Sequence, residues 1–193
     1  MKKFNFTLCV FLLLTLFVSC ERPDYSDEIY DTYREAERLS TSGTVIDGNM
    51  WSARSEKEMT FNDAKDYCRH LTELEHNDWR LPTIDELRTL IKDCPKTEEH
   101  GSCGFTDECL LEIIEEDYDY DFTCDEDSDC HCERRYSYYD ESSYSKLGDW
   151  VDIWSSIPKN NDDEAWYVDF GDGGIHPSDK YYYGMTCHVR CVR

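Results

Sequence analysis

Positive charge is what this sequence has least of: 20 lysines and arginines stand against 43 aspartates and glutamates, for a net charge of −23. With no basic face to meet phosphates, nucleic acid and anionic lipid headgroups are excluded as partners, whereas cations and neutral sugars are permitted. No internal repeat is visible. Gly-x-Ser-x-Gly and His-Glu-x-x-His are both absent, so neither a serine hydrolase elbow nor a zinc peptidase helix is encoded. The many carboxylates read as solubilising surface rather than a glycosidase pair, and nothing indicates an enzyme. The apolar run from Leu8 to Val18, interrupted only by Thr15, falls short of the ~20 residues that a membrane-spanning helix needs.

That run, preceded by Lys2 and Lys3, reads instead as a signal peptide over residues 1–19. It ends in Leu16-Phe17-Val18-Ser19-Cys20, which resembles the lipobox of bacterial lipoproteins, although Phe17 stands where leucine is usual. The resemblance implies a lipid on Cys20, hence a membrane partner reached through that lipid. Glu21 after the cysteine implies sorting to the outer membrane of a Gram-negative cell. Ordinary cleavage, with Cys20 as one more thiol, is the alternative. The remaining chain suffices for one domain of about 150 residues behind a tether, and residues 20–43 are read as that lipidated, acidic tether. Ile29, Tyr33, Ala36 and Leu39 form a weak stripe there, so a short helix and a loose tether both fit.

Eleven cysteines in an exported chain predict a disulfide framework. Setting aside Cys9 in the leader and Cys20 leaves nine, an odd number, so either one thiol stays free or the lipobox reading of Cys20 fails. Cys130 and Cys132 are too close in sequence to pair with each other.

The domain is expected over residues 44–193. Thr44-Val45-Ile46, an Asp47-Gly48 turn and Met50-Trp51-Ser52-Ala53 read as a hairpin. Thr60 caps a first helix reaching Leu71, with Phe61, Ala64, Cys68 and Leu71 on one face. In Asp78-Trp79-Arg80-Leu81-Pro82-Thr83, proline holds the entry extended, Thr83 is the N-cap and Glu86 completes a capping box. Ile84, Leu87, Leu90 and Ile91 give that second helix its buried face, and it should stop near Asp93, before Pro95. Trp79 is read as packing under the sheet, and Arg80 as tying the turn to a carboxylate or carbonyl.

Residues 94–146 read as a Cys-rich acidic insertion held by disulfides rather than by a core, because so acidic a stretch buries too little to offset its ordering entropy. Asp117, Asp119 and Asp121 alternate as calcium ligands do, but Phe122 holds the place where an EF-hand needs glycine. A solvated loop is preferred, and calcium stays an alternative. Cys124, Cys130, His131 and Cys132 offer zinc donors, against which the oxidising compartment favours disulfides. Trp150 to Ser156, Ala165 to Phe170 and His188 to Val192 are expected strands, the second closing through Gly171-Asp172-Gly173-Gly174 into Ile175-His176. Two one-faced helices and late period-two strands make an α+β layer pair.

The Ala64-Lys65-Asp66-Tyr67-Cys68 helix, Asp78-Trp79-Arg80-Leu81-Pro82 with Glu86-Leu87, Trp154-Ser155-Ser156, Ala165 to Phe170, and Val189-Arg190-Cys191-Val192-Arg193 occur in the order and rough spacing of one family. The chain resembles the Lcl C-terminal domain family, long catalogued as a domain of unknown function in exported bacterial proteins. The resemblance implies a C-type lectin-like fold: two helices on a small twisted antiparallel sheet, terminal strands adjacent, long loops on one side. It also implies a bridge from the first helix to the last strand, here Cys68 to Cys191. Related lectin-like folds include sulfatase-activating oxidases that use cysteines, but no reactive pair stands out here.

Binding is the class that remains, with glycans or another surface component as ligand and no cofactor required. Trp150, Tyr167, Tyr181 and Tyr182 are the aromatic candidates for stacking on sugar rings, whereas Trp154 and Trp166 are assigned to the core. A structural envelope lipoprotein without a small-molecule ligand is the alternative, and an enzyme of the sulfatase-activating type is the weakest one.

Overall fold

A computed structural model describes residues 36, 39, 41–115, 124, 130–134, 143–159, 164–178 and 184–193. Residues 37–193 form one compact unit. Among the described residues no helix is long and apolar enough to cross a membrane. The architecture is α+β, with β1 (Thr44–Ile46), β2 (Asn49–Trp51), α1 (Phe61–His70), α2 (Ile84–Leu90), α3 (Asp107–Glu115), β3 (Asp152–Pro158), β4 (Ala165–Asp169) and β5 (Gly174–Pro177).

The β1–β2 hairpin closes through Asp47 and Gly48, whose φ angles of 50° and 86° are the left-handed pair a two-residue hairpin turn requires. The strands β3, β4 and β5 form a second antiparallel sheet in that order. The C-terminal residues join these two sheets instead of forming a regular last strand. Val192 bridges both Trp51 and Arg80, Cys187 bridges Met59, and His188 pairs in parallel with Ile153. One sheet was expected; the segment is divided because it must serve partners on both sides, a tertiary demand that the period-two pattern does not reveal.

Thr60 accepts from the Asp63 amide and caps α1. Thr83 and Glu86 form a complete capping box on α2. Glu86 also takes the Arg80 guanidinium as a fork, at 2.7 and 2.5 Å, so one carboxylate fixes the turn and starts the helix. The Arg80 side chain is half exposed and solvent screens the pair, which adds at most about 1 kcal/mol. Thr83→Ala is therefore expected to cost about 1 kcal/mol and Glu86→Ala about 1–2 kcal/mol in urea unfolding. The helix ends at Leu90, short of the expected Asp93, because Ile91 turns extended to bridge Ser145 and the Lys92 amide bonds to Tyr144 O.

Two apolar clusters flank the β3–β5 sheet. One gathers Trp51, the buried face of α2, Ile153, Trp166, Val168 and Phe170. The other gathers Phe61, Ala64, Cys68, Trp79, Leu81, Trp154, Val189 and Cys191.

The insertion departs most from expectation. Among the described residues of the domain there are three helices, not two, and the third, α3, lies in the segment read as coreless. Cys94, Cys103, Leu110, Cys130, Tyr144 and Leu147 all join the first cluster. A polar anchor makes this possible: buried Arg88 on α2 donates to the carbonyls of Thr97, Glu98, Gly101 and Phe105 at 3.1–3.3 Å. Four backbone acceptors of the loop before α3 are thereby satisfied on one guanidinium. Disulfides Cys94–Cys132, Cys103–Cys130 and Cys109–Cys124 complete the attachment, and Cys68–Cys191 joins α1 to the C-terminal segment. Among the described residues Cys187 is the free thiol, and it is buried.

Candidate functional site

The β4–β5 turn reads Asp169-Phe170-Gly171-Asp172-Gly173-Gly174-Ile175-His176. Asp169 and Asp172 each bend back on the chain: the Gly171 amide donates to Asp169 Oδ1 at 2.7 Å, and the Gly174 amide to Asp172 Oδ1 at 2.8 Å. Glycine is needed at 174, because a Cβ there would lie 2.3 Å from His176 Nε2 and 2.6 Å from Asp172 Oδ1. His176 Nε2 stands 3.3 Å from Asp172 Oδ1. Register brings in a third carboxylate, since Asp152 on β3 lies directly opposite Asp169 on β4.

Segment 130–134 runs beside this turn. The Cys132 amide donates to Asp172 O at 2.9 Å and the Ile175 amide to Cys130 O at 3.1 Å. Arg134 then reaches across to pair with Asp169 and, at 3.4 Å, with Asp172. Asp169, Asp172 and His176 bring donor atoms within 4.8 Å of one another, the spacing of a ligand set, but the cation among them is the Arg134 guanidinium. In this structure the group is an internal ion cluster.

The electrostatics follow from this packing. Burial, then the charge of Asp169, pushes the Asp152 carboxyl up to about 7, against the opposing pull of Arg134 and His176. Burial works to lower His176, but the Asp172 hydrogen bond and charge, with Asp169 and Asp152, outweigh it and hold the imidazole above its ordinary value. For Asp172 burial acts upward, and His176, the Gly174 amide and Arg134 prevail to keep it below the usual carboxylate range.

On its outer side His176 is a wall of a cleft of about 310 Å³, lined also by Phe105, Cys130, His131, Lys159, Trp166, Ile175 and Pro177. Phe105 and Trp166 are tilted against each other at 5.1 Å between centroids. In a chain so rich in acids, none of the described lining residues is acidic, and three, His131, Lys159 and His176, carry basic nitrogen.

The sequence-derived aromatic candidates do not converge. Trp150 is 57% exposed. Tyr167 is half-buried, its ring against Trp154 and His176 at 5.9 and 5.6 Å. Trp154 is in the core, and Trp166, also buried, lines the cleft. Trp154 and Trp166 are buried as expected, and the alternation of β4 sends Trp166 and Tyr167 to opposite sides of the sheet. Tyr181, Tyr182, Cys20 and the calcium alternative Asp117, Asp119 and Asp121 lie outside the described residues. Trp79, Arg80, Pro82, Thr83 and Glu86 sit at the α2 entry, away from the cleft residues in sequence and packing.

Reading the sequence missed Asp152, Asp169, Asp172, His176, Arg134, Phe105 and Lys159 as a group. One signal was available: pairing the two expected strands residue by residue sets Asp152 opposite Asp169.

Two arrangements touch the enzyme question. Ser55 Oγ lies 3.4 Å from His188 Nδ1, but Ser55 is buried, donates to Lys57 O and accepts from the Val189 amide, so its hydroxyl holds backbone together. The Cys187 thiol is pushed upward by burial and then by Asp152, which disfavours the thiolate.

A family model described as the Lcl C-terminal domain matches residues 43–193. No curated protein and no solved structure matches the chain.

Proposed function

The chain belongs to the Lcl C-terminal domain family, and we propose that it is an exported, lipid-anchored, non-enzymatic binding module of the cell envelope with a C-type lectin-like fold and a carbohydrate ligand. The observation that carries this reading is the cleft beside His176. Its aromatic edges suit the apolar face of a sugar ring, and its polar rim is basic in an otherwise acidic protein. A pyranose bearing an acidic group matches both features. Long-range repulsion from the acidic surface keeps multiply charged polyanions away, while Lys159 and the two imidazoles offer local donors.

A glycan array probed with the domain from residue 21 onward tests this. The expected result is binding that favours sugars with an acidic substituent, weakened several-fold in Lys159→Ala. Absence of binding at high micromolar protein, with and without calcium, would refute the carbohydrate reading and leave a structural envelope lipoprotein. The anchor is tested separately: cells fed a palmitate analogue should label the wild-type chain and not Cys20→Ser, and equal labelling of both would remove the lipid from the proposal.

A further inference from the structure

The ion cluster behind the cleft carries more carboxylate than its own cations neutralise. Asp169 and Asp172 pair with one guanidinium, Arg134, Asp172 also meets one imidazole, His176, and Asp152 faces Asp169 across the β3–β4 pair within reach of the same charges. With the imidazole neutral and all three acids ionised the group holds a charge of −2. Two protons, one on His176 and one on Asp152, bring it to zero. The members also come from different parts of the fold: Asp152 from β3, Asp169 from the end of β4, Asp172 from the turn, His176 from β5 and Arg134 from the segment 130–134. Disulfides tie that segment to Cys94 and Cys103, but they do not tie it to β5. Its hold on the β4–β5 turn runs through the Cys132 and Ile175 backbone hydrogen bonds and the Arg134 ion pairs.

We infer that this cluster is a proton-operated clasp: uptake of two protons fastens segment 130–134 and the His176 wall of the cleft, and their loss at alkaline pH loosens both. The clasp stands on the packing of charges alone and does not depend on what the cleft binds. Among the described residues the other titratable groups facing it are His131, whose ring lies 6.4 Å from that of His176, Tyr167 and Cys187. Burial and the neighbouring acids raise the last two, so both stay neutral in the working range. Glu58 faces Cys187.

The sign follows from linkage. Asp152 and His176 both hold their protons more tightly folded than unfolded, so their contribution to stability is present at mildly acidic pH and falls as pH rises through about 7. His188, lowered by burial and by Arg54, titrates with the opposite sign, so a global melting curve mixes the two. The local readout is amide hydrogen exchange, with the intrinsic pH dependence divided out.

In the ligand-free protein, the protection factors of the Cys132 and Ile175 amides should rise several-fold between pH 8 and pH 5.5. In Asp152→Asn, which carries one fewer charge, they should be higher than wild type at pH 8 and rise less steeply below it, because only His176 still takes up a proton. A wild-type profile that is flat over this range, or an Asp152→Asn profile with the wild-type slope, would overturn the clasp. Should that variant not fold, the His176 ring proton resonance in His131→Gln decides. A midpoint above 6.5 that tracks the exchange data supports the clasp, and one at or below 6.5 sinks it. Neither measurement uses a sugar, so failure of the carbohydrate proposal leaves this test intact.

Discussion

Replacing Cys68 and Cys191 together by serine is expected to lower the unfolding free energy by about 4 kcal/mol. The bond closes a loop across 123 positions, the longest of the four disulfides, so the unfolded chain gains the most freedom when it is cut. In the chain-entropy description a loop of that order is worth about 4–5 kcal/mol, against about 3 kcal/mol for one of 15 residues such as Cys109–Cys124. The native state loses as well. Both sulfurs are fully buried among Phe61, Ala64, Trp79, Leu81, Trp154 and Val189, where two hydroxyls would lack water. The C-terminal segment keeps its backbone bonds to Met50, Ser52, Ser55 and Met59, so the variant should still fold, with a lower urea midpoint. A loss under about 1 kcal/mol would show that those bonds alone position the segment. Cys109→Ser with Cys124→Ser should cost less, and the reverse ranking would count against the loop-length explanation.

What could be read from the sequence was what is local. The caps at Thr60 and Thr83 depend on residues three apart, and the buried faces of α1 and α2 follow from helical spacing, so the starts of both helices and their buried faces were legible, while the end of α2 was set by its tertiary partner Ser145. The pairing of Cys68 with Cys191 came from family resemblance; no local rule contains it. The third helix was missed because its stability is imported. Taken alone, Asp107–Glu115 is acidic and short, and it is ordered by Arg88 satisfying four carbonyls of the preceding loop and by Leu110 entering a core built from distant strands. The cleft was missed for a related reason. Phe105, His131, Lys159 and His176 come from four stretches that no period connects, and the attention drawn by Trp150 and the tyrosines rested on residue type. The one part of the site within reach was the facing of Asp152 and Asp169, a matter of strand register.

Asp149→Ala is expected to destabilise the fold by about 3–5 kcal/mol, because it strands a buried guanidinium. Arg190 is 1% exposed and Asp149 2%. Nε and Nη2 of Arg190 donate to the two oxygens of Asp149 at 2.6 and 2.9 Å, and Nη1 donates to Ser52 O at 2.7 Å. Arg54 approaches the same carboxylate at 3.7 Å, so removing it leaves two cations facing each other with no counter-charge. The arrangement meets where the fold is joined: Ser52 follows β2, Asp149 precedes β3, and Arg190 lies in the segment that bridges both sheets. Arg190→Lys should not rescue, since a single ammonium cannot reproduce the planar fork and reach Ser52 O as well. Arg190→Met should cost about as much as Asp149→Ala, by orphaning the carboxylate. The combined Asp149→Leu, Arg190→Met variant should recover much of either loss, because two apolar side chains escape the desolvation that the ions bear. Urea unfolding of Asp149→Leu, Arg190→Met and their combination against the wild type measures this as a double-mutant cycle. Single losses below about 1 kcal/mol would mean that water reaches the pair. Strictly additive losses would mean that the two side chains act through separate partners, Arg54 for the carboxylate and Ser52 for the guanidinium, and that the joint is held by backbone alone.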